Sequence, residues 1–225
     1  MNKSDIKLIV NYLHRFIEPP VFSKQKWVSF WRYTGMAMSC IGEKLTGVDY
    51  SMVYYTKNDS DYHHSVYTKV PKKVLKRIFA DVSDVEKKNF IDVGCGKGYA
   101  VMMAAKRGFH IAGGVEYAPN LYHVCINNLK KKGFSTEHVY NGDAKNFQRY
   151  ADFNVFFLNN PFDETILEPV AKKIYESHKD SKCVIYFLNP SDKLRTDAIV
   201  NAGFRFVKQI PDSCEWYFNV NVYEN

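Results

Sequence analysis

The feature that most constrains this chain is the run Phe90-Ile91-Asp92-Val93-Gly94-Cys95-Gly96-Lys97-Gly98, in which an apolar strand enters three alternating glycines and leaves as a helical pattern from Tyr99. Glycine accepts the positive φ that such a turn demands, and without a Cβ it lets a ligand reach the backbone. The helix start beyond offers free N–H groups that suit a carboxylate. A strand, a glycine turn and a helix in that order are the opening unit of a parallel α/β sheet with its binding crevice at the carboxyl ends of the strands.

The rest of the chain from about Val70 keeps that rhythm. A helix over Lys72 to Ala80 precedes the strand Asn89 to Val93, and a helix follows from Tyr99 to Arg107. The strand His110 to Glu116 comes next. Pro119 then opens a helix whose apolar stripe is Leu121, Val124, Cys125 and Leu129, and Gly133 ends it. A short strand at Glu137 to Tyr140 leads to Asn141-Gly142-Asp143-Ala144. Phe153 to Leu158 is apolar throughout and is predicted to be a central strand buried on both faces. The helix Glu164 to His178, the strand Cys183 to Leu188, the helix Asp192 to Ala202 and strands near Phe204 to Ile210 and Glu215 to Tyr223 complete the pattern. The last two are expected to pair antiparallel across Pro211-Asp212-Ser213.

Residues 1–69 do not share this alternation. They are expected to form a helical cap or lid, rich in aromatics such as Trp27, Phe30, Trp31, Tyr33, Tyr54 and Tyr55, followed by a polar loop from Lys57 to His64. Packing of the same aromatics on the sheet, or a dimer contact, are the alternatives. The domain expectation is therefore an N-terminal segment 1–69 and a ligand-binding domain 70–225.

Composition narrows the class. Five cysteines are scattered without C-x-x-C or Cys/His spacing, so no metal site is expected and a reduced, cytoplasmic setting is the simplest reading. No run approaches the roughly 18 apolar residues that cross a bilayer, and no signal-peptide pattern opens the chain, so no membrane partner is expected. The net charge of +7 admits an acidic acceptor or nucleic acid, but the lysine groups fall at predicted helix ends, where solvation and the helix dipole account for them.

Three acids carry the ligand chemistry. The glycine spacing is G-x-G-x-G rather than the dinucleotide G-x-G-x-x-G, and Asp92 precedes the first glycine by two residues. A carboxylate there favours a cationic amino group or sulfonium and repels a pyrophosphate. Glu116 ends the next strand, where a carboxylate accepts from both ribose hydroxyls. Asp143 follows the third, within reach of an adenine amino group. Taken together, residues from about Val70 onward resemble class I S-adenosylmethionine-dependent methyltransferases. The resemblance implies a doubly wound, seven-stranded, mostly parallel sheet with helices on both faces, and S-adenosyl-L-methionine as the cofactor. It implies that Gly94, Gly96 and Gly98 line the methionine portion, with Cys95 and Lys97 contributing backbone only. It further implies Asp92 for the amino group, Glu116 for the ribose and Asp143 with Ala144 for the adenine.

After the fourth strand, Asn159-Asn160-Pro161-Phe162 is similar to the [D/N/S]-P-P-[Y/F] motif of methyltransferases that act on planar nitrogens, with Asn160 in place of the first proline. That similarity implies catalytic roles for Asn160, Pro161 and Phe162, through an Asn carbonyl accepting from the nucleophilic nitrogen and a Phe162 ring stacked on the acceptor. It places Asn159 at the cofactor's methionine end. The alternative is a proline turn with Phe162 in the core. Ser65 to Pro71 resembles the segment that folds over the cofactor in such enzymes, which makes Tyr67 and Thr68 candidate cofactor contacts and leaves packing as the other role for Tyr67.

A hydroxyl or ammonium acceptor also needs a base, and His63, His64, Asp163 and Glu164 are the candidates. The expected function is transfer of a methyl group to a small molecule, sugar or protein side chain. Methylation of nucleic-acid bases, or cofactor binding without chemistry, are the alternatives.

Overall fold

The computed structural model describes residues 38–39, 41–51, 67–188, 193–211 and 219–225. The chain divides into two compact units, residues 1–52 and 53–225. In the first, residues 41–45 are helical. The Glu43 carboxylate there accepts from the N–H groups of Tyr50 and Ser51, each at 2.8 Å. The aromatics Trp27, Phe30, Trp31, Tyr33, Tyr54 and Tyr55, the polar loop Lys57 to His64 and the base candidates His63 and His64 lie outside the described residues.

The second unit runs α1 (Lys72–Asp81), β1 (Asn89–Val93), α2 (Tyr99–Arg107), β2 (Ile111–Glu116), α3 (Pro119–Lys131), β3 (Val139–Asn141), β4 (Val155–Leu158), α4 (Glu164–Glu176), β5 (Val184–Leu188), α5 (Lys193–Asn201), β6 (Arg205–Ile210) and β7 (Val220–Glu224). The seven strands form one sheet in the order β3-β2-β1-β4-β5-β7-β6. β7 pairs antiparallel with both β5 and β6, and the other pairs are parallel. The seven-stranded, mostly parallel, doubly wound expectation is the observed architecture.

Alternation along the strands sorts the core into two layers, as a period-two pleat requires. Ile91, Val93, Phe156, Leu158, Ile185 and Phe187 face α4 and α5, meeting Leu167, Val170, Ile174 and Ile199. Phe90, Val155, Phe157, Tyr186 and Leu188 face the other way, against Val74, Leu75, Ile78 and Phe79 of α1 and Ala100, Met103 and Ala104 of α2. Every residue of β4 is buried, which explains why its sequence is apolar without alternation.

From β1 the chain steps outward to β2 and β3, then returns across β1 to β4. That reversal opens a crevice at the carboxyl ends of β1 and β4, where open α/β sheets hold their ligands. No helix among the described residues is long and apolar enough to cross a membrane.

Candidate functional site

The glycine turn after β1 is built by close approach. Gly94, Gly96 and Gly98 have φ of +83°, +53° and +80°. A Cβ on Gly94 would lie 2.6 Å from Cβ of Pro161, one on Gly96 2.3 Å from the Tyr67 ring, and one on Gly98 2.4 Å from Sγ of Cys125. Each glycine therefore has a different neighbour that a side chain would displace. The turn is also fastened to β2. The N–H groups of Gly94 and Cys95 both donate to the Val115 carbonyl, at 2.9 and 3.0 Å. That of Gly96 donates to Oε2 of Glu116 at 2.7 Å.

Glu116 thus holds the turn from the carboxyl end of β2. Its Oε1 accepts from Ala118 N–H at 2.8 Å, so both carboxylate oxygens are engaged by backbone donors. Burial raises its pKa, and the backbone hydrogen bonds of Ala118, Gly96 and Tyr117 oppose that rise. Asp92, one strand away, is buried and its Oδ1 has no hydrogen-bond partner among the described residues. Burial, and then the neighbouring Glu116 charge, push its carboxyl well above the ordinary value. A buried carboxylate oxygen without a partner is costly unless a ligand completes it. A cationic amino group with a hydrogen to donate is the complement this pair lacks. The residues fit the amino acid end and the ribose of an adenosyl amino acid.

Asp143 lies beyond the next strand. Its Oδ1 accepts from Lys145 N–H at 2.8 Å, capping the short helical turn Ala144–Asn146. The other carboxylate oxygen has no hydrogen-bond partner among the described residues. Ala144 begins that turn, so its N–H has no acceptor within it, and a donor beside a carboxylate oxygen matches the edge of an adenine. The structure brings Asp92 and Glu116 together with the glycine turn and places Asp143 and Ala144 one strand further along the same edge.

The Asn159–Phe162 loop leaves β4 beside this turn. Asn159 Nδ2 donates to the Thr68 carbonyl at 3.2 Å, which fixes the amide orientation and leaves Oδ1 as an acceptor. Asn160 has φ +48° and its Oδ1 accepts from Arg195 Nη1. Phe162 is 4% exposed and belongs to the core layer of α4, which is the packing alternative named for it from the sequence. The loop turns the chain back onto the sheet, and the apolar ring follows the backbone inward. Asp163 caps α4 through Thr165 and Ile166 N–H, which occupies that base candidate.

Tyr67 lies against Gly96, and Lys97 Nζ sits 5.4 Å from the centre of its ring. Thr68 meets the site through its carbonyl, since its side chain is exposed. Cys95 is buried, and its thiol is pushed well up by the hydrogen bond to the Cys125 thiol and by burial, so it remains neutral and contributes packing. Two side-chain placements were not expected from the sequence. Lys97 is fully buried beneath the turn, although its type signals a surface residue. Arg195 lies 35 positions from Asn160, and no local pattern joins them.

The family described as a methyltransferase domain matches residues 84–218, more than half of the chain. No curated protein matches the sequence. Among solved structures, a TehB-like SAM-dependent methyltransferase from Corynebacterium glutamicum is 17% identical with a TM-score of 0.51, over 69% of this chain and 88% of that one. A putative RNA methyltransferase from Pyrococcus horikoshii is 19% identical with a TM-score of 0.51, over 68% and 80%. A mutant of MtNAS in complex with S-adenosylmethionine is 13% identical with a TM-score of 0.54, over 97% and 72%.

Proposed function

Because this chain belongs to the methyltransferase-domain family, we propose that the crevice at the ends of β1, β2 and β4 joins its methyl donor to a small-molecule, sugar or protein side-chain acceptor. The chain is an S-adenosylmethionine-dependent methyltransferase. The observation that carries the site assignment is the buried Asp92 carboxylate, whose Oδ1 has no partner among the described residues, beside the buried Glu116 carboxylate that holds the glycine turn.

When bound, S-adenosylmethionine supplies a methyl group activated on a sulfonium. Asp92 binds the amino group, Glu116 orients the ribose, and Asp143 with Ala144 reads the adenine edge. The glycine turn admits the methionine portion, and Asn159 stands at that end with its amide oriented by Thr68. Holding acceptor and donor in line at near-attack distance supplies most of the rate in such a displacement.

Phe162 supports this choice of acceptor. A base methyltransferase of the N-P-P-F kind needs an aromatic platform for a planar ring. Phe162 is packed in the core, which favours an acceptor that needs no stacking. One observation keeps amino-nitrogen methylation as a second reading: the Oδ1 of Asn159 is left to accept from an amine.

Tritiated methyl transfer into fractionated cell extract separates these. Label in the small-molecule, glycan or protease-sensitive fraction supports the proposal. Nuclease-sensitive label replaces it with base methylation, and an unlabelled extract contradicts both.

A further inference from the structure

We infer that Arg195 is a positioning residue: from the first turn of α5 it holds Asn160 in a left-handed conformation, and so sets Asn159 and Pro161 against the glycine turn. Among the described residues only Asn160 and Asp84 combine a side chain with positive φ. Asp84 precedes a helical turn at the opposite end of β1. Asn160 is at the carboxyl edge, inside the candidate site. It also precedes Pro161, and a following proline steers a residue toward extended backbone. A conformation of this kind is costly and persists where its surroundings over-determine it.

Arg195 is what the structure supplies. Its Nη1 donates to Oδ1 of Asn160, a charge-assisted bond from a half-buried guanidinium. Asparagine is one of the few residues that visit this region readily, because its short amide bonds locally. Here the amide bonds across the fold to another helix instead. The bend it secures lets the Asn159 amide reach the Thr68 carbonyl at 3.2 Å. On the other side it seats Pro161 where a Cβ on Gly94 would be. One guanidinium therefore orders the junction between the two turns that frame the crevice. The consequence for ligand binding rests on the proposed placement of Asn159 at the cofactor's methionine end; the consequence for the loop does not.

A double-variant cycle with two readouts tests this. Arg195→Ala is expected to speed hydrogen exchange of the 158–164 amides and to weaken S-adenosylhomocysteine binding, each by about 10-fold, the worth of one charged hydrogen bond. In an Asn160→Gly background, where glycine adopts positive φ without help, the same change is expected to cost less than about 2-fold in both. Equal Arg195→Ala effects in the two backgrounds, or exchange confined to its original rate, overturn the inference. A loosened loop with unaltered affinity reduces Arg195 to a structural contact and overturns its positioning role. A wild-type chain that fails to bind S-adenosylhomocysteine defeats the cofactor placement, and the exchange cycle alone then decides.

Discussion

The turns that follow β1 and β4 face each other across the crevice and solve the same problem by opposite means. Both must reverse the chain with positive φ at the carboxyl edge of a central strand. After β1, three glycines remove the steric cost at its source, and the space they free is taken by Pro161, Tyr67 and Cys125. After β4, an asparagine keeps its side chain and is held by Arg195. The first turn is permissive and, in the proposed site, brings backbone to the ligand; the second is directed and brings an amide. The difference teaches that a glycine turn can be fastened by a buried acid, here Glu116 on Gly96 N–H, while a non-glycine turn needs a partner for its own side chain.

The sharpest way to break the comparison is to place a methyl group where the turns touch. Gly94→Ala puts Cβ 2.6 Å from the rigid Pro161 ring at φ +83°, and is expected to cost about 3 kcal/mol in denaturant melts, strain and overpacking together. A loss below about 1 kcal/mol would mean that the two turns are not packed as described. Glu116→Ala removes the acceptor for the Gly96 and Ala118 N–H groups, among others, and the proposed ribose contact. It should weaken S-adenosylhomocysteine binding about 100-fold, or about 2.7 kcal/mol, by calorimetry. Unchanged affinity would discredit the ribose assignment.

Asp92→Asn sharpens the electrostatic side. The Asp92 carboxyl is raised in the folded chain, so the folded state holds its proton more tightly than the unfolded one. That contribution to stability is fully present below about pH 3.9, the unfolded value, and is lost as pH rises through the folded pKa. Asp92→Asn is therefore expected to gain about 1–2 kcal/mol at pH 7 and less at pH 4, measured against wild type by thermal melts. Homocysteine-adduct binding should run the other way, weaker in the variant and, in wild type, stronger as pH rises. Parallel trends would separate Asp92 from the amino group. The smallest effect is the control: Gly108→Ala, at φ +96° with no atom within 4 Å of the new methyl, should cost only the backbone term of about 1 kcal/mol.

Much of this edge was legible in the sequence because it is written in short-range pattern. The bounds of β1 and α2, the burial of β4 and the antiparallel final pair follow from periodicity and glycine placement, which act over a few residues. Asp92 and Glu116 were legible for the same reason, as acids at strand ends. Phe162 shows where pattern stops: an aromatic after a proline turn faces outward or inward depending on how the next helix packs. The burial of the Lys97 side chain and the bond of Arg195 were not legible because they come from residues brought close only by the folded sheet.

Titration calorimetry of the intact chain with S-adenosylhomocysteine and, separately, NADH tests the central claim most directly. One adduct molecule bound per chain, lost in Glu116→Ala, with no heat from the dinucleotide, is the expected result. Dinucleotide binding in the absence of adduct binding would contradict the placement of a sulfonium donor between Asp92 and Glu116.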